Sequence, residues 1–269
     1  MIARRLVPLA VLLTAACTSA WGQTTLPTVV ISGLPTIGVA ATQPAATVTL
    51  SGGPYALAIT GTMTLTFAPA GGGTQASDAK FASGSPYAAI FTIAAGSSLG
   101  LFGTASSSVP VMIGTVAGTI TITTTLQDSN GTTLPPPAAV VMTVNPTVPV
   151  INANGVIPCA VTSSGFSISV TGRSTPRDMT SALFHFTLPT NTQPPTLDVT
   201  VPLTSAFAAW YSSPNSSAFG STFKMTVQFS YAGPPGSTVP FVAVTATLTN
   251  SIGTSTPPVA GQSSVATCP

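Results

Sequence analysis

Thr125-Leu126-Gln127-Asp128-Ser129-Asn130-Gly131-Thr132-Thr133-Leu134-Pro135-Pro136 returns 122 residues later as Thr247-Leu248-Thr249-Asn250-Ser251-Ile252-Gly253-Thr254-Ser255-Thr256-Pro257-Pro258. Seven positions are identical, and Asp128/Asn250 and Thr133/Ser255 are conservative exchanges. Before the first copy, Val116, Gly118, Ile120, Ile122 and Leu126 alternate with Thr115, Thr119, Thr121, Thr123 and Thr125. That period of two is the signature of a half-buried strand. Asn130-Gly131 offers the positive φ angles of a tight hairpin, and Val140, Met142 and Val144 provide a returning strand. In the second copy Ile252 replaces Asn130, which weakens that turn chemistry. The phrase predicts strand, turn, strand, late in each of two similar units.

The same alternation recurs elsewhere. Tyr55, Leu57, Ile59, Met63, Leu65 and Phe67 share one face, with Gly61 expected to be a bulge or bend. Tyr87, Phe91 and Ile93 repeat it. After the linker Asn145–Pro149 it restarts at Phe166, Ile168 and Val170, then Ala182, Phe184, Phe186 and Leu188, then Leu197, Val199 and Val201. Phe223, Met225, Val227, Phe229 and Tyr231 continue it, and Val242, Val244, Ala246 and Leu248 lead into the second phrase. Ser205 to Tyr211 is the helix candidate, with Phe207 and Trp210 as its buried edge. Short strands between Gly/Pro turns predict two tandem Greek-key β-sandwiches. The expected boundaries are a signal peptide at 1–22, an N-terminal sandwich at 23–146 and a C-terminal sandwich at 147–269.

Composition agrees with this. There are six Lys or Arg, four Asp and no Glu, with 44% hydrophobic residues. Few charges with abundant Thr, Val, Ile and Phe disfavour helices and suit extended chain. Arg4 and Arg5, the apolar run Leu6 to Ala16 and Ala20-Trp21-Gly22 have the order of a secretory signal peptide, too short to be a stable membrane span. Its removal leaves four cations against four Asp. A neutral chain has no electrostatic footprint for nucleic acid or anionic membrane.

Thr14-Ala15-Ala16-Cys17 has the form of a lipoprotein cleavage box, with Thr14 where an aliphatic residue is usual. Lipid anchoring at Cys17 is thus the alternative to simple secretion. Cys159 and Cys268 remain as a disulfide candidate for an exported chain, with free or intermolecular thiols as the alternative. A bridge between them would close a loop of about 100 residues, worth up to ~4–5 kcal/mol.

Thr245-Ala246-Thr247-Leu248-Thr249-Asn250-Ser251 with Gly253 resembles the final strands of bacterial secreted immunoglobulin-like domains, in which a V-T-x-T-N-x-x-G phrase recurs. Ala88 to Ser97 is similar to strands of Calx-β-type repeats. The resemblance implies a sandwich. Calcium-binding Calx-β modules carry acidic clusters, which this chain lacks.

Little here points to catalysis. No G-x-S-x-G, no H-E-x-x-H and no Cys/His cluster of metal spacing is present, so neither a metal nor another cofactor is expected. His185 alternates out of phase with Phe184 and Phe186, as a surface or interdomain residue would. Asp128-Ser129-Asn130-Gly131 lacks the bidentate Glu of a calcium loop and reads as an Asx turn.

Two spots invite a ligand. Arg173, Arg177 and Asp178 form the densest charge cluster, either a contact for a partner or the neighbouring domain, or a solvated loop in which an arginine pairs with Asp178 or Asp198. Trp210 and Tyr211 could stack on sugar rings, or Trp210 could be core. Charge-poor Thr strands also weaken the usual defence against edge-to-edge pairing. The expectation is a non-enzymatic, exported structural or adhesive module of the bacterial surface or extracellular space, meeting other proteins or glycans. The alternative is a polysaccharide-binding protein using aromatics near Trp210.

Overall fold

Alternating apolar and hydroxyl side chains become strands throughout. In chain order the first unit holds β1 (Thr28–Ser32), β2 (Ile37–Gly38), β3 (Ala45–Ser51), β4 (Ile59–Pro69), β5 (Lys80–Phe81), β6 (Ala88–Ile93), β7 (Gly100–Phe102), β8 (Ser108–Met112), β9 (Gly118–Asp128), β10 (Thr133–Leu134) and β11 (Val140–Val144). The second holds β12 (Val150–Pro158), β13 (Phe166–Arg173), β14 (Ser181–Thr187) and β15 (Thr196–Pro202). It continues with α1 (Thr204–Ser212), a 3-10 turn (Pro214–Phe219), β16 (Thr222–Phe229) and β17 (Ala243–Thr249). The computed structural model describes residues 26–71, 78–158, 165–230 and 241–256. The signal segment, Cys17, the Cys159–Cys268 pair and Tyr231 lie outside the described residues. The protein is all-β, two immunoglobulin-like sandwiches in tandem.

In the first sandwich β1-β3-β8-β5 faces a larger sheet ordered β2-β11-β9-β4-β6-β7, with β10 on β9. β4 and β9, eleven residues each, pair along their full length, from Ile59 opposite Asp128 to Pro69 opposite Gly118. Their inward residues Ile59, Met63, Leu65, Ile120 and Ile122 are buried against Val48 and Val111 of the other sheet. Gly61 is no bulge. It sits in regular register between Phe91 and Leu126, and a β-carbon there would collide with both side chains. The glycine makes room for the Phe91 ring. β2, which follows β1 in the chain, joins β11 in parallel, Ile37 beside Thr143, so the second and last strands of this sandwich lie side by side.

The second sandwich pairs β12-β13-β16 with β15-β14-β17. Consecutive strands cross between sheets except at the β12–β13 and β14–β15 hairpins, the Greek-key pattern of immunoglobulin-like domains. The core is aromatic: Phe166 stacks on Phe229 at 5.2 Å, and Phe186 meets Phe229 edge-on at 5.3 Å. Such contacts add about 0.5–1.5 kcal/mol each beyond area burial.

The repeated phrase closes both units in one way. In the first, Asp128 Oδ1 accepts from the N–H groups of Asn130 and Thr132, both at 2.9 Å, and Gly131 takes φ 84°. Asn130 does not have a positive φ; the loop is three residues long and needs only the glycine. In the second, Asn250 Oδ1 accepts from the N–H groups of Ile252, at 2.9 Å, and Gly253, at 3.1 Å. Ile252 therefore costs this turn nothing, because the first residue of the phrase's turn organises it. β11 returns along β9 as the sequence suggested, Val140 opposite Ile122.

Candidate functional site

The polar side chains of this charge-poor chain converge where the two sandwiches meet. The segment after β8 presents Thr115, whose N–H and hydroxyl both donate to Asp78, at 2.8 Å each. The same hydroxyl accepts from the Ser221 N–H at 2.8 Å, and Ser221 Oγ donates to the Thr115 carbonyl at 2.7 Å. Ala117 N–H donates to the Thr175 carbonyl at 2.8 Å, and Thr147 N–H to Thr175 Oγ1 at 2.7 Å. Ser174, Thr175, Ser216 and Ser221 are buried, all but Thr175 completely. Gly220, at φ 59°, packs so closely on Asp78 that a β-carbon would stand 2.5 Å from its carboxylate carbon.

Behind this seam lies Arg177. The turn Ser174–Arg177 closes with the Arg177 N–H on the Ser174 carbonyl, 2.8 Å, and holds Arg177 at φ 60°. Only 7% of the residue is exposed. Its Nη2 donates to the Tyr211 carbonyl at the end of α1 and to Ser216 Oγ, both at 2.8 Å, and the guanidinium stands 5.0 Å above the Tyr211 ring. The Tyr211 hydroxyl donates to the Ser221 carbonyl at 2.8 Å. Burial lowers the Arg177 pKa from the usual arginine value, while Tyr211 and Asp78 work in the opposite direction. Burial also pushes the Tyr211 phenol well above its ordinary value, against the pull of Arg177. Both shifts follow from desolvation of the charged form.

The solvated-loop reading is thereby corrected for Arg177, while Arg173 and Asp178 are half-buried. Arg177 is a buried strut between the α1 segment and the seam. Arg173 ends β13 opposite Val150 and Thr222. Asp178 receives the Ser174 hydroxyl on its backbone carbonyl, 2.6 Å, and its Oδ1 is buried without a protein partner. Neither arginine pairs with Asp178 or Asp198 among the described residues. Strand register gives Asp198 to His185 instead, Oδ1 to Nδ1 at 2.5 Å on the exposed face of β14 and β15. No group of three or more His, Cys, Asp or Glu side chains that could hold a metal occurs among the described residues.

The helix forms where expected, but its buried edge differs. Phe207 and Tyr211, spaced i and i+4, pack on the second core at 5.7 Å from one another. Trp210 is half-buried beside Phe219, at 6.1 Å, and its Nε1 has no protein partner. Phe219 is 54% exposed. A nine-residue helix turns 100° per residue, so i+4 keeps closer to the Phe207 face once the chain bends into the 3-10 turn. Arg177 and Asp78 stand out in the sequence only as rare charges, and the hydroxyl residues Thr115, Ser216 and Ser221 carry no signal, since Ser and Thr are everywhere in this chain.

No known protein family and no curated protein matches the chain. Among solved structures it is similar to the chicken CNTN1 FN1-FN3 domains, with 12% identity over 88% of this chain and 64% of that chain, at a TM-score of 0.32. The chain thus spans less than two thirds of that neighbour's length. No helix among the described residues is long and apolar enough to cross a membrane.

Proposed function

We propose that the chain is a non-enzymatic structural or adhesive module, exported to the bacterial surface or the extracellular space. The observation carrying this reading is the seam. Two of the few charges are spent on structure, Asp78 on the seam through Thr115 and Arg177 on bracing the α1 segment behind it. The His185–Asp198 contact lies exposed on the face of β14 and β15, where nothing excludes water from a reaction. A pair of sandwiches fixed end to end is suited to presenting surfaces at a defined distance. Fractionating the native host and locating the chain tests this. Surface or extracellular recovery, with loss of adhesion or envelope cohesion on deletion, is the expected result; cytoplasmic recovery defeats it.

A second reading rests on Trp210 and Phe219, adjacent aromatic rings 6.1 Å apart, the Phe219 ring exposed. Stacking on an uncharged sugar ring would use both. Retention on polysaccharide columns that Trp210→Ala abolishes, with folding intact, would promote polysaccharide binding over the structural role.

A further inference from the structure

The outer face of the larger sheet in the first sandwich carries a grid of threonines. Thr62, Thr64 and Thr66 of β4 stand directly opposite Thr125, Thr123 and Thr121 of β9. The grid is flanked by Ile90, paired with Thr62 and 63% exposed, and by Val141, paired with Thr121 and 48% exposed. No charged side chain stands on this face. The charges of the first sandwich are Asp78 at the seam, Asp128 buried in its turn, and Lys80 on β5 of the opposite sheet.

From these observations we infer that the Thr62–Thr66/Thr121–Thr125 face is a docking surface for a second copy of this chain, two such sheets packing face to face about a twofold axis. The inference rests on the structural reading above and names its partner. A hydroxyl both donates and accepts, so a threonine grid is complementary to itself, as a surface of carboxylates or ammonium groups is not. A twofold interface requires that self-complementarity. The paired strands of this sheet cover roughly 600 Å² at about 3.4 Å per residue and about 4.8 Å between strands. That matches about 600–1,000 Å² per partner in interfaces of standard size. Ile90 and Val141, large apolar groups left in water by the lone chain, would be covered at the margins.

Sedimentation velocity of the purified chain over rising concentration tests the inference. Reversible dimers are expected, with the double variant Thr64→Lys/Thr123→Lys weakening association at least tenfold. Ser51→Lys, an exposed change on the opposite sheet, should leave association unchanged. A monomer at every concentration, or a dimer that ignores the lysine pair, overturns the inference. A monomer that still coats host cells would overturn the dimer face and leave the structural role standing. A monomer whose grid instead retains polysaccharide, sensitive to the same lysines, also overturns it. Matching circular dichroism of all variants separates lost docking from lost folding.

Discussion

Asn250 holds Thr147. Its amide nitrogen donates to the Thr147 carbonyl at 2.9 Å and to Ser174 Oγ at 3.0 Å, while its oxygen organises the turn of the second phrase. Asp128, at the same place in the first phrase, only accepts. The Asp/Asn exchange between copies is thus a functional difference, since a carboxylate cannot donate to the linker. Asn250→Asp should cost about 1–3 kcal/mol by leaving a buried acceptor unmatched. Asp128→Asn, which keeps the accepting oxygen, should cost under about 1 kcal/mol. Denaturant unfolding of the two variants measures the asymmetry, and equal losses would refute it.

Thr115→Val keeps the shape of the side chain and deletes the hydroxyl shared by Asp78 and Ser221. Buried partners left unsatisfied should lower stability by about 1–3 kcal/mol. The loss belongs to the seam, so the sandwiches should uncouple before either core fails. Calorimetry is expected to resolve two transitions in the variant.

Gly61→Ala places a methyl group against Phe91 and Leu126. Overpacking of this kind costs about 1–3 kcal/mol. Adding Phe91→Leu should recover part of the loss, measured as a rise in thermal midpoint over Gly61→Ala alone.

Tyr211 sets an alkaline limit. Its folded pKa lies above the unfolded value of about 10. Its contribution is therefore complete below that value and declines as pH rises through it towards the higher folded value. Stability should fall above pH ~10 more steeply in the natural protein than in Tyr211→Phe. The variant in turn loses its bond to the Ser221 carbonyl, about 0.5–1.5 kcal/mol at neutral pH. Urea midpoints at neutral and alkaline pH separate the two effects.

Strands were readable because burial on one face imposes a period of two, and β4, β9 and β14 follow it residue by residue. The helix was readable too, from a Gly-free and Pro-free run between prolines. Tertiary choices were not. Gly61 carries the same local signal whether it bends a strand or admits a ring from its neighbour. Tyr211 displaced Trp210 from the helix's buried edge because Arg177, more than thirty residues earlier, closes over its ring. The seam was hidden most completely: hydroxyls that fasten Thr115 to Ser221 resemble those that merely face water, and 106 residues separate them.

The parallel pairing of β2 with β11 bears on how the chain withstands tension. The chain enters the first sandwich through β1 on the smaller sheet, crosses to β2, and leaves through β11 into the linker that Asn250 grips. Once β1 has been drawn off β3, pulling the sandwich from its two ends draws β2 and β11 in opposite directions along their length. The load then falls on their hydrogen bonds together, in shear, rather than opening them one at a time.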